Sequence, residues 1–302
     1  MTPFASRLGL RTLLSLFSLL LALNASAGEV DPVVERIKST GLLRIAFNPA
    51  NGPFSFPGPD GQPVGYTIDL CKLVAQKMGP AMGLKNPLKI EYRPIKSSER
   101  LPLITTGAID LECSASTNTL ERQKSVAYSV SFFTATGRML VNKGAGIKSY
   151  QDLSPKHRIV VVKGTTGQVA LPARLNTIGR KPTIIEVGNQ ADAQAMLQEG
   201  KADGYVTDDV LLYAVRAKLK DPGQWEVIGK SLSVEPYGMM MPKGAPQFEK
   251  LVDDILREAF ANGVANNLYQ RWFLTKEFEM PMSHLTREAL KWPNKIGVGK
   301  AF

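Results

Sequence analysis

The stretch Ile109–Ser129, IDLECSASTNTLERQKSVAYS, decides how the chain reads. It opens as a short apolar strand, Ile109 to Cys113, and breaks into six small residues, Ser114 to Thr119. Their side chains compete for backbone hydrogen bonds, which makes them poor strand or helix interiors. Leu120-Glu121-Arg122 then reads as the entry to a helical turn. A strand that ends in hydroxyls and free backbone N–H groups, with an arginine about one turn later, suits a small anion. The guanidinium fork matches a carboxylate, and hydroxyls and amides fill its remaining lone pairs. On these residues alone, a polar loop with a solvated arginine fits as well.

Upstream, Leu42–Phe47 reads as a strand, Asn48–Pro53 as a loop, and Pro59-Asp60-Gly61 as a turn. Leu70, Leu73, Val74 and Met78 follow a 3.6-residue period and predict a helix. Lys89–Pro94 is the next strand. Ser97-Ser98-Glu99-Arg100 is expected to cap a helix that ends at Gly107. Downstream, Arg138–Val141 is a strand, Tyr150–Leu153 a short helix start, and Ile159–Val162 a strand running into Lys163-Gly164-Thr165-Thr166-Gly167. A helix is expected from Gln168, so this turn presents N–H groups and a positive dipole end to an anion. It lacks the glycine and Lys-Ser/Thr pattern of a P-loop. Strands at Ile184–Val187, Ala202–Thr207, Trp225–Ile228 and Tyr237–Pro242 follow, with helices at Ala191–Leu197 and from Pro246 to about Asn262. A last helix carries Leu268, Trp272 and Phe273, and the tail from Pro281 is expected to be irregular.

Strands alternating with amphipathic helices predict an α/β protein with mostly parallel sheets. The pattern restarts after Phe133, which suggests two lobes joined by crossings near 134–138 and 233–237. The expected division is 1–27 as a signal peptide, 28–135 with 236–302 as lobe 1, and 136–235 as lobe 2. Ligands of such hinged proteins bind between the lobes, where strand carboxyl ends and helix N-termini converge.

Arg7 and Arg11, the apolar run Leu13–Leu23 and Ala25-Ser26-Ala27 have the form of a cleaved secretory signal, so the expected location is the periplasm. The run is too short to span a bilayer. The formal charge is +10 and falls to +8 without those two arginines. The basic residues are dispersed and not interleaved with aromatics, so no nucleic-acid partner is expected. Cys71 and Cys113, the only cysteines, read as a disulfide in an oxidising compartment or as two buried thiols, and the compartment favours the first. Two histidines, His157 and His284, with no Cys/His cluster leave no metal site to expect, and no cofactor is called for.

The order Gly65-Tyr66-Thr67-Ile68-Asp69-Leu70, Gly107-Ala108-Ile109-Asp110-Leu111, Glu121-Arg122-Gln123, Phe133, Gly164-Thr165-Thr166 and Asp203-Gly204-Tyr205-Val206-Thr207-Asp208 resembles the periplasmic amino-acid-binding proteins of ABC importers. These are the polar amino-acid group, extracellular solute-binding proteins of family 3, with a two-lobe type II periplasmic binding fold. Ser97–Leu103 and Leu111-Glu112-Cys113 look closest to the glutamate/aspartate branch. The resemblance implies import of an acidic amino acid, an ABC permease as partner, and action as a monomer. It assigns Arg122 to the α-carboxylate, assisted by Thr117 and the Thr166 backbone, and Asp208 to the α-ammonium. It places Arg100 and Ser97 at the side-chain carboxylate. Three positions depart from the branch: Asn48 stands for a second arginine, Ala115 for a serine and Gln190 for a histidine. Asn48 and Gln190 suit an amide as well, so glutamine or asparagine is the alternative ligand.

A different class remains, an exported enzyme such as a dehydratase on the same fold. No nucleophile is flanked by a base, and Glu112 is the single candidate acid or base. A receptor's sensing domain is the third reading. It would call for a transmembrane segment or second module after residue 302, and none is read there.

Overall fold

A computed structural model of the chain describes residues 31–276 and 278–299; the expected signal peptide lies outside them. The first described element is α1 (Pro32–Thr40), whose first turn is capped by the Asp31 carboxylate accepting from the Val33 and Val34 N–H groups. Next come β1 (Leu42–Phe47), the hairpin β2 (Phe56–Pro57) and β3 (Pro63–Val64), α2 (Tyr66–Ala81), β4 (Lys89–Pro94), α3 (Arg100–Thr105), β5 (Leu111–Glu112) and β6 (Val126–Tyr128). These are followed by β7 (Phe133–Asn142), β8 (Arg158–Val162), α4 (Thr166–Thr177), β9 (Thr183–Val187), α5 (Gln190–Gln198), β10 (Gly204–Asp208) and α6 (Asp209–Ala217). The last elements are β11 (Trp225–Tyr237), β12 (Met240–Pro242), α7 (Pro246–Ala261), α8 (Val264–Phe273) and α9 (His284–Lys291).

Two five-stranded sheets organise these elements, one in the order β4-β1-β5-β12-β6 and the other β11-β7-β10-β8-β9. In each sheet the strands linked by helices pair in parallel: β1 with β4 and β5, and β8 with β9 and β10. The strands that enter or leave a sheet pair antiparallel: β12 with β5 and β6, and β7 with β10 and β11.

The second sheet is covered on both faces, which strand alternation makes possible. Met139, Val141, Ile159, Val161 and Val206 face Leu171 and Leu175 of α4, while Leu140, Val160, Val162 and Tyr205 face α5 and α6. The first sheet packs against α1, α2, α7 and α8 through Leu43, Ile45, Val74, Phe248, Val252 and Phe273. β7 and β11 run side by side between the two cores, with Tyr237 opposite Phe133. That end packs into the first core, where the Phe133 ring stacks on Tyr237 at 5.6 Å and on Phe273 at 5.3 Å.

Gly65 shows how tightly the first core closes. Its φ is +131°, and a Cβ there would stand 2.2 Å from the Phe54 carbonyl oxygen, so no other residue can start α2. A disulfide joins Cys71 of α2 to Cys113 at the end of β5, with sulfurs 2.02 Å apart.

Several local expectations differ from what forms. The strand expected over Ile109–Cys113 is two residues long, although the Asp110 and Cys113 N–H groups still donate to the Arg44 and Ala46 carbonyls; the Arg44 N–H goes to the Asp110 carboxylate. Ser97 does not cap α3; the cap position is Glu99, and the Ser97 hydroxyl accepts from Asn48. The helix expected from Gln168 begins two residues earlier, capped by the Thr165 hydroxyl. Tyr237–Pro242 divides between β11 and β12. The tail expected to be irregular contains α9, capped by Ser283, and then runs back along Asn118–Leu120.

Candidate functional site

Between the sheets lies a cavity lined by Asn48, Ser97, Arg100, Ala115, Thr117, Arg122, Thr166, Gln190 and Asp208, the nine positions singled out by the sequence. Its remaining walls are Asn51, Val162, Thr165, Tyr205, Thr207 and Leu211. The topology explains the convergence. β1, β5 and β8 end at the cavity, followed by Asn48, the Ser114–Thr119 turn and the Gly164–Thr166 turn, and β10 ends there with Asp208 itself.

Arg122 crosses from one wall to the other. Its Nη1 donates to the Thr117 carbonyl at 2.8 Å and its Nη2 to the Gly164 carbonyl at 3.0 Å. A second tie is made by Glu235, whose Oε2 accepts from the Thr117 hydroxyl at 2.6 Å and the Thr166 hydroxyl at 2.9 Å. The hydroxyls of Thr117 and Thr166 are thus engaged with a protein carboxylate. With the walls this close, the enclosed space is about 20 Å³, room for about one water. An amino acid therefore enters only if the walls part.

Arg100 is 4% exposed. Its Nε donates to the Ser97 carbonyl at 2.8 Å and its Nη1 to the Ser116 hydroxyl at 2.6 Å. Burial lowers its pKa, and the Glu112 carboxylate opposes that. Glu112 does not line the cavity. Its own pKa is raised by burial, against the pull of Arg100 and a Ser116 hydrogen bond, and its Oε2 has no hydrogen-bond partner. The Asn48 amide donates to Ser97 at 3.1 Å and accepts from the Ala50 N–H at 3.0 Å.

Asp208 ends β10 and accepts a hydrogen bond from the Tyr237 hydroxyl. Its pKa is raised well above the usual carboxylate range, first by burial and then by the charge of Glu235, with the Tyr237 bond opposing. Its neighbour Asp209 turns away and accepts from the Thr136 N–H and hydroxyl.

Glu235 and Tyr237 are the residues that sequence reasoning missed. Both lie on β11, of which Trp225–Ile228 reads as a strand and 233–237 as a crossing. The signal available was a lone glutamate in Ser233-Val234-Glu235-Pro236-Tyr237, which in the structure is 2% exposed. Among the described residues no group of His, Cys, Asp and Glu could hold a metal ion.

Two sheets joined by two long strands, with a charged cavity between their carboxyl ends, define a two-lobe type II periplasmic binding protein fold. The chain matches the bacterial extracellular solute-binding proteins, family 3, over residues 43–275, and it belongs to that family. The L-glutamate/L-aspartate-binding protein of Pseudomonas aeruginosa is 36% identical over 84% of each chain. The glutamate/aspartate import solute-binding protein of Escherichia coli is 33% identical over 84% of this chain and 86% of that one. Among solved structures, an ancestral amino-acid-binding protein, a precursor of cyclohexadienyl dehydratase, shares the fold with a TM-score of 0.69. It is 32% identical over 80% of this chain and 99% of that one.

Proposed function

We propose that the protein is the periplasmic solute-binding component of an amino-acid ABC importer. It captures L-glutamate or L-aspartate between its lobes and delivers it, as a monomer, to a membrane permease. The observation that carries this reading is the charge pattern of one cavity: Arg122 and Asp208 face a zwitterion's two ends, and buried Arg100 supplies a second cation for a side-chain carboxylate. Arg122 would exchange its Gly164 bond for the α-carboxylate, Asp208 would take the α-ammonium, and the Thr166 N–H at the start of α4 would add a donor. The lobes proposed are residues 28–135 with 236–302, and 136–235. Closure between them would bury the ligand.

An enzymatic role draws little support. Glu112, the acid or base that the sequence offered, does not line the cavity. Asn48 and Gln190 support a second ligand class, the amides glutamine and asparagine. Isothermal titration of the mature protein against the twenty amino acids tests both. Tight 1:1 binding of L-glutamate or L-aspartate is expected; binding of L-glutamine with neither acid would overturn the role given to Arg100.

A further inference from the structure

The side-chain end of the cavity adjoins a second space. Asn48 and Gln190 line that end, and they also line this second, larger cavity of about 540 Å³. Asn48 is held on both sides, by Ser97 and by the Ala50 N–H. Gln190, at the N-terminus of α5, is 8% exposed, and its amide has no hydrogen-bond partner among the described residues. The amide atoms keep solvent contact, so an entering polar group can pair with them without displacing a protein hydrogen bond.

The outer cavity has its own charges: Lys96, Lys218 and Glu99, whose carboxylate accepts from the Lys96 backbone N–H at 2.7 Å. Lys96, after β4, reaches across so that its Nζ lies 3.8 Å from where a Cβ on Gly188, after β9, would stand. Lys218, after α6, reaches the opposite way, its Nζ 3.9 Å from the corresponding point on Gly52. Each lysine therefore spans from one sheet's side to the other's. Neither ammonium has an ion-pair or hydrogen-bond partner among the described residues.

We propose that the two cavities form one site for a γ-glutamyl dipeptide, an amino acid whose side-chain carboxyl is joined by an amide to a second, carboxylate-bearing residue. The inner cavity holds the glutamyl head as proposed above, and the inference rests on that reading. The Gln190 amide oxygen accepts from the linking N–H, which points away from the carbonyl across the trans amide. Arg100 donates to the same carbonyl. The distal carboxylate falls between Lys96 and Lys218, two flexible point charges suited to an anion whose position varies with the second residue.

Titration of the mature protein with L-glutamate, γ-L-glutamylglycine and γ-L-glutamylethylamide tests this. The ethylamide keeps the linking amide and lacks the distal carboxylate. γ-Glutamylglycine is expected to bind at least tenfold tighter than the ethylamide. The double variant Lys96→Gln/Lys218→Gln should erase that difference and leave L-glutamate affinity within twofold. If L-glutamate binds and γ-glutamylglycine does not, the dipeptide proposal is overturned and the amino-acid reading stands. If γ-glutamylglycine binds equally well to the double variant, the lysines are not its subsite and the proposal fails. If none of the three ligands binds, the amino-acid reading itself has failed.

Discussion

Arg122 donates to the Gly164 carbonyl at 3.0 Å, so the arginine read as the ligand clamp also joins the turn after β5 to the turn after β8. One group serves two partners in succession, and ligand capture exchanges a wall-to-wall bond for a wall-to-ligand bond. Charged hydrogen bonds of this kind contribute about 1.5–3 kcal/mol. Arg122→Ala is accordingly expected to weaken L-glutamate binding by about 100-fold in isothermal titration. Arg122→Lys should lose nearly as much, because one ammonium cannot reproduce the fork. A loss under threefold in the alanine variant would remove Arg122 from the clamp.

Gly164 is the other half of that relationship. Its φ is +79°, and a Cβ there would stand 2.7 Å from the Ser98 Cα on the opposite wall. The clash is with backbone, so no rotamer relieves it. Gly164→Ala should hold the walls apart, weakening ligand at least tenfold and lowering stability by about 1–2 kcal/mol from the strained φ. Small-angle scattering with saturating ligand is expected to show a larger radius of gyration than for the parent. Parental affinity in this variant would mean that the walls need not meet when ligand binds.

The cavity's polar residues were legible because their chemistry follows strand ends, where small hydroxyl residues, Gly-Thr-Thr and Asp interrupt apolar runs. Arg122 followed from such an interruption, whereas Asn48, Arg100 and Asp208 were implied by the family resemblance, and each lies at the cavity. Glu235 and Tyr237 were not legible, since they are among the last three residues of a long strand and nothing local shows what their side chains meet. Their role depends on β11 passing beside Thr117 and Asp208, a proximity set by tertiary packing. Helix α9 escaped for a related reason. HLTREALK is short and polar, and it is anchored by Thr286, whose hydroxyl donates to the Thr134 carbonyl and accepts from the Thr134 N–H.

The disulfide offers a stability test separate from binding. Cys71 and Cys113 are 42 residues apart, and closing a loop of that length restricts the unfolded chain by about 4 kcal/mol in the entropic account. The Cys71→Ser/Cys113→Ser variant is expected to lose about 2–4 kcal/mol, seen in calorimetry as a midpoint lower by about 5–15 °C. Neither sulfur lines the cavity, so affinity for L-glutamate should stay within threefold. A larger loss would show that the bond also positions the Ser114–Thr119 turn.

Beyond residue 275, where the family match ends, the chain returns to the clamp. The Leu120 N–H donates to the Val298 carbonyl at 2.9 Å, and the Lys295 carbonyl accepts from Asn118 and Gln123, each at 3.2 Å. Lys295 pairs with Glu249, and with Asp253 at 2.7 Å. Lys295→Met keeps the stem and removes the charge, leaving two carboxylates facing each other. A stability loss of about 1–3 kcal/mol is expected, with affinity two- to fivefold weaker as the turn bearing Arg122 loosens. The exposed Lys250–Asp254 pair serves as the control, since Lys250→Met should cost under about 0.5 kcal/mol. Equal effects from the two variants would deny the tail its part in placing the turn.

Asp208 connects binding to pH. Its folded pKa is raised by burial and by Glu235. A proton is therefore held at pH values where an ordinary carboxylate, with a pKa of about 4, has lost it. An α-ammonium against the carboxylate favours the ionised form and lowers that pKa, so binding must release the proton wherever pH lies between the bound and free values. By linkage, affinity rises with pH through this window and levels off above the raised pKa. Titrations at one pH inside the window, in two buffers of different ionisation enthalpy, should give binding enthalpies that differ in the direction of proton release. Asp208→Asn should bind at least tenfold more weakly, and its buffer dependence should vanish because no proton remains to expel. Proton uptake on binding, or a buffer dependence that persists in Asp208→Asn, would place the α-ammonium elsewhere in the cavity.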